Sequence, residues 1–125
     1  STGMGGSRVD DGTARQLLSD ERARIEGEIE RLSASVQRDA ERGAEPQDRA
    51  DSAQIDYGQA QDMAKIEHLR DQLAAVERAE ERLASGTFGL SIESGEPIGD
   101  GRLRRIPTAE RTAQEQTAFE RRGGV

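Results

Sequence analysis

The sequence contains no cysteine and no tryptophan, and only one histidine, one tyrosine and two phenylalanines among its 125 residues. Without thiols there is no disulfide, no thiolate nucleophile and no zinc-thiolate centre, and His68 alone leaves little for a transition-metal site. Cofactor chemistry is therefore not expected, and neither a cofactor nor a catalytic residue is assigned. Long apolar runs are also missing: none approaches the roughly 18 residues of a membrane span, and the N-terminus carries no charged-then-apolar signal pattern. The expectation is a soluble, cytoplasmic protein with no membrane partner. Bases are outnumbered, 18 Lys and Arg against 25 Asp and Glu. A net charge of −7 disfavours nucleic-acid binding, because neutralising phosphates needs an excess of cations on some face. Direct sequence-specific DNA binding is not expected.

Leu, Ile, Val and Phe together number 21 of the 125 residues, below the usual floor for a packed globule. Such a chain stays disordered unless its apolar residues are gathered into one seam. Ala, Glu, Lys, Leu and Arg supply 57 residues, close to the half found in long helices and coiled coils. Ser1 to Gly6 reads STGMGG, and residues 1–12 are expected to be a tag remnant and flexible N-terminus. Helical spacing starts at Thr13, where Thr13 and Gln16 fit a capping box. Leu18, Ile25 and Leu32 then recur every seven residues, with Ile29 and Val36 in the second seam position that Arg15 and Arg22 occupy earlier. This predicts a helix over Thr13–Arg42.

Gly43-Ala44-Glu45-Pro46-Gln47-Asp48 breaks the pattern, since Gly stops helices and Pro biases its predecessor away from them. A second seam reads Ile55, Ile66, Leu69, Leu73, Val76 and Leu83, with polar Gln59, Asp62 and Glu80 at intervening seam positions. Gly86 is its expected stop, giving a second helix over Asp48–Ser85. Two helices of similar length joined by six residues cover each other's seams only when antiparallel. The expected fold is mainly α: a long antiparallel hairpin over 13–85 with its tip at 43–48, then a small head and a C-terminal helix over 86–125. In the head, GTFGLSIESGEPIGDGRLRRIPT is too punctuated for a helix and too apolar for a linker, and the helix-permissive run from Thr108 has Thr108 as a candidate cap.

The head carries the most specific signal. Gly86-Thr87-Phe88-Gly89, Gly95-Glu96-Pro97-Ile98, Arg102-Leu103 and Pro107-Thr108-Ala109 fall at the spacings of the C-terminal zinc finger of the DksA/TraR family, which this segment resembles. The resemblance covers about Glu45 to Ala118, strongest in the head. The family's four zinc-binding cysteines correspond to Ser91, Ser94, Thr112 and Glu115, so the register persists while every thiolate is gone. Hydroxyls and one carboxylate do not replace thiolates and imidazoles around zinc, and these are read as vestigial positions that bind no metal. Apolar packing of Phe88, Leu90, Ile92, Ile98, Leu103, Ile106 and Phe119, with hydrogen bonds among the four former ligands, is expected to hold the head instead. A hydrolytic use of the hydroxyls is disfavoured, because no His lies near in sequence to activate them.

The resemblance also implies a partner: family members bind RNA polymerase, inserting the coiled coil into its secondary channel with an acidic pair at the tip. Here the tip reads Glu45-Pro46-Gln47-Asp48-Arg49-Ala50. Asp48 and Ala50 match the family pattern with Arg49 between them, and Glu45 is one methylene longer than the family's first acid. Acids beside a helix start most often serve as caps and dipole partners, a reading that the residues alone favour. The resemblance further implies a regulator without catalytic activity, monomeric on polymerase. Family members that respond to the alarmone ppGpp carry an Arg before Pro-Thr-Ala and a Lys after the last Cys, and here those positions are Ile106 and Gln116. Arg102, Arg104 and Arg105 form a basic cluster that suits either an acidic partner or solvent. The alternative from another class is a structural or adaptor coiled coil that self-associates, its polar seam residues setting register or oligomeric state.

Overall fold

The computed structural model describes residues 9–43 and 49–124, with side chains described outside 43–56. Four helices follow in order: α1 (Asp11–Gly43), α2 (Arg49–Ser85), α3 (Asp100–Arg105) and α4 (Ala113–Arg121). Among the described residues the only β pairing is an isolated antiparallel bridge between Leu90 and Pro97. The mainly helical architecture agrees with the expected one. No helix among the described residues is long and apolar enough to cross a membrane. Two compact units result, Ser1–Glu21 with Ala75–Val125, and Arg22–Ala74.

The Arg22–Ala74 unit is an antiparallel pair of helix segments. Its seam buries Ile25, Ile66 and Leu69 and half-buries Ile29, Leu32, Val36 and Leu73. Contacts run in opposite senses along the two helix segments. Glu28 and Leu32 share a groove with Ala64, Lys65, His68 and Leu69. Further along α1, Ser35 Oγ donates to Asp62 Oδ2 at 3.3 Å, and Gln59 Nε2 donates to the Val36 carbonyl at 3.1 Å. Two of the polar interruptions, Gln59 and Asp62, are thus paired across the seam, which fixes register where apolar side chains run out. His68 is exposed and shares a hydrogen bond with Gln72.

In the other unit, Val9, Ala14, Ile98, Leu103 and Ala109 form the buried cluster, with Leu17, Leu83 and Phe88 packed on it. Leu18, Val76 and Ala79 are also fully or almost fully buried. Several local expectations are corrected here. The α1 cap is Asp10 and not Thr13: Asp10 Oδ1 accepts from the Thr13 amide at 2.7 Å, and these Thr13 bonds hold the Asp10 carboxyl below its ordinary value. Capping three residues earlier adds a helical turn that brings Ala14 into the core, so residues 9–12 belong to the fold and Gln16 bonds Asp20 instead. The end of α2 falls where expected: the Gly86 amide bonds Leu83 O and the Thr87 amide bonds Arg82 O, with Gly86 at φ 82, a Schellman stop.

Two further differences lie in the head. Asp100–Arg105 is helical despite its glycine-rich setting, entered through Gly99 at φ 99. And α4 begins at Ala113, capped by Thr112 and not Thr108. The carbonyls of Glu110 and Arg111 are taken by Ile92 N and Arg102 Nε, so residues 108–111 cannot spend them on a helix. Of the seven apolar residues expected to pack, Ile92 and Ile106 are exposed, at 51% and 41%.

Candidate functional site

The four family zinc positions converge in the head. Ser91 is 5% exposed and organises a tight turn: its Oγ accepts from the amides of Glu93 at 3.0 Å and Ser94 at 3.2 Å, while its carbonyl accepts from Gly95 N. Ser94 Oγ in turn accepts from Glu96 N at 3.2 Å. A hydroxyl whose oxygen already accepts keeps its hydrogen to donate. Across from this turn, Thr112 and Glu115 form a capping box: Thr112 Oγ1 accepts from Glu115 N at 3.1 Å, and Glu115 Oε1 accepts from Thr112 N at 2.9 Å. The hydrogen bonds from Ser91, Ser94 and the Thr112 amide hold the Glu115 carboxyl at about 2, far below the ordinary 4.5.

These residues do not fit zinc. Three of the four donors are neutral hydroxyls, the Thr112 oxygen is engaged as a helix cap, and the one carboxylate is occupied by donors. Among the described residues no group of three or more His, Cys, Asp or Glu side chains could hold a metal ion.

A second carboxylate connects the turn back to α4. Glu93 Oε2 accepts from Arg111 Nε at 2.7 Å and lies 3.7 Å from Arg122 Nη2. Both guanidinium groups face the Phe119 ring, Arg111 at 3.6 Å from its centroid and Arg122 at 6.0 Å. A third, Glu110, joins this segment to the end of α2 through Arg78 Nε at 2.9 Å and Arg82 Nη1 at 3.2 Å. Burial pushes the Glu110 carboxyl up, but its arginine partners outweigh burial and hold it below the ordinary range. Sequence reasoning missed Glu93 and Glu110, because nothing in local spacing pairs either with its arginines.

Ile106 and Gln116 line one groove of about 610 Å³, together with Arg102, Thr108, Arg111 and Phe119. Gln116 Nε2 donates to Glu120 at 3.0 Å. The basic cluster is divided: Arg102 is committed to Arg111 O, Arg105 Nε bonds Gly101 O, and Arg104 lies 3.9 Å from Asp100. Of the tip, Glu45 and Asp48 lie outside the described residues, and Arg49 and Ala50 are the first two residues of α2.

No family model matches the chain. It is 33% identical over 78 residues to the RNA polymerase-binding transcription factor DksA of Caulobacter vibrioides, in two strains, over 62% of this chain and 55% of the relative. The chain thus spans about half the length of the curated relatives it matches. In three dimensions it is similar to the transcription factor DksA2 from Pseudomonas aeruginosa, with a TM-score of 0.78 and 29% identity, over 90% of this chain and 84% of that one.

Proposed function

The chain belongs to the DksA/TraR family, and from that premise we propose that it is a transcription regulator that binds RNA polymerase directly and has no catalytic activity of its own. The carrying observation is the likeness to DksA2, which extends over hairpin and head alike. The hairpin enters the secondary channel, and the chain acts there as a monomer. Glu45 and Asp48 at the tip then stand where carboxylates can engage a hard cation or basic side chains, flanked by Arg49 and Ala50. Ser91, Ser94, Thr112 and Glu115 keep the head folded without zinc. Self-association is the weaker reading: of Gln59, Asp62 and Glu80, the polar seam residues that would specify it, Gln59 and Asp62 find partners inside the chain.

The test is a pull-down with core polymerase, paired with a variant of the tip. Glu45→Gln with Asp48→Asn should bind polymerase nearly as well as the parent, because the tip is a small part of the contact. The same variant should lose most of the parent's effect on initiation in a purified transcription assay. No capture of polymerase by the parent would overturn the partner. Full regulation by the double variant would overturn the role of the tip.

A further inference from the structure

Within the Arg22–Ala74 unit, the kind of contact that pairs the two helices changes along their length. At its base Ile25, Ile66 and Leu69 are buried, with Ile29, Leu32 and Leu73 half-buried beside them, so apolar burial holds the pair there. Further along, none of the described side chains of residues 33–42 and 57–63 is buried, and Val36 is the one apolar side chain among them that is half-buried. Tyr57 and Met63, the large apolar residues of that stretch, are 69% and 54% exposed and contribute little to the pairing. Among the described residues, the hydrogen bonds that cross the pair in this distal stretch are those of Ser35 with Asp62 at 3.3 Å and of Gln59 with the Val36 carbonyl at 3.1 Å.

The same stretch holds Gly58 inside α2, next to Gln59. A glycine in a helix interior weakens the helix, a cost that close packing can require. Packing does not require it here, because a Cβ at Gly58 would meet no atom within 4 Å. Pairing and helix are therefore weakened at one level of the hairpin, by two independent features. We propose that the hairpin is a two-part conformational device, in which residues 33–42 and 57–63 open by themselves while the seam of residues 25–32 and 66–73 stays closed. Parting the base would bring Ile25, Ile66 and Leu69 into water, whereas Ser35, Gln59 and Asp62 exchange their bonds for bonds to solvent. Helices in folded chains depend chiefly on packing of an apolar face, so the distal helices lose protection once apart. The bonds of Gln37 with Glu41 and of Arg42 with Asp39 lie within α1 and do not oppose the separation. A closed base with a compliant end lets the end adjust to a surface it meets without unpacking the seam. The inference concerns the chain by itself and holds whatever its partner.

Hydrogen exchange of the full chain tests this, with a matched substitution in each part. Gly27 lies in α1 at the level of the base, is exposed, and a Cβ there would also meet no atom within 4 Å. In the parent, the distal amides of residues 36–40 and 59–63 should exchange at least about tenfold faster than the base amides of residues 25–29 and 66–73, after correction for intrinsic rates. Gly58→Ala should slow the distal amides by about four- to fivefold. Gly27→Ala should slow the base amides by a similar factor and leave the distal amides within about twofold of the parent, because residue 27 stays helical when only the distal stretch opens. Gln59→Ala, which removes the bond to the Val36 carbonyl, should speed the distal amides by about fivefold. Distal amides as well protected as the base in the parent would overturn the proposal. So would distal amides unchanged in Gln59→Ala. Distal amides slowed as much by Gly27→Ala as by Gly58→Ala would overturn it too, since the hairpin would then open as one unit.

Discussion

Glu115 shows how much one side chain can change when its neighbours change with it. A carboxylate among thiolates would be one ligand of four; here it closes the capping box of α4 by accepting from the Thr112 amide. Because its carboxyl sits at about 2 in the folded chain and near 4.5 when unfolded, its contribution to stability is complete above pH 4.5 and disappears as the pH falls toward 2. Thermal melts of parent and Glu115→Gln should therefore be separated at pH 6 and converge by about pH 2; a gap that does not depend on pH would contradict the hydrogen-bonded carboxylate. Glu110 makes a different bond. Its partner Arg82 has only 13% of its side chain exposed, and Nε and Nη2 of that guanidinium are buried with no partner among the described residues. Glu110→Gln removes the carboxylate paired with Arg82 and should cost about 1–3 kcal/mol, measured by denaturant titration, with Glu110→Asp falling between. A loss near zero would show that Arg82 is paired by solvent.

At the scale of elements, the seven-residue spacing made both long helices legible, since a chain so poor in apolar residues has few ways to arrange them. Leu69, 8% exposed in the seam, should cost about 2–4 kcal/mol on change to Ala, read from helix signal on heating. A cost near zero would mean that the helices do not pair in this register. The boundaries were less legible, and for definite reasons. Thr13 and Asp10 are both competent caps, and the choice between them rests on whether Ala14 and Val9 find a core, which lies in residues far along the chain. α3 was hidden by its glycines. The start of α4 was misjudged by four residues because Thr108 and Thr112 look alike locally, and only the claims of Ile92 and Arg102 on the preceding carbonyls separate them. The four former zinc positions were placed by family register alone; their hydrogen-bond roles, and the pairing of Glu93 with Arg111, required coordinates.

For the whole molecule, a charge of −7 and a scarcity of apolar residues go with apolar side chains gathered into the seam of paired helices. Ile106 and Gln116 stand where the resemblance implies an Arg and a Lys in members that respond to ppGpp, and neither an aliphatic chain nor a neutral amide supplies the cationic donors that a highly charged anion needs. Titrating ppGpp into a purified transcription assay should therefore leave this protein's effect unchanged, and strong potentiation that required the protein would contradict that expectation. The central claim is that the hairpin occupies the secondary channel of RNA polymerase. Its most direct test is equilibrium binding of the labelled protein to core polymerase while a second factor known to fill that channel is added: mutually exclusive binding is the predicted result, and simultaneous binding of both at saturation would contradict the account.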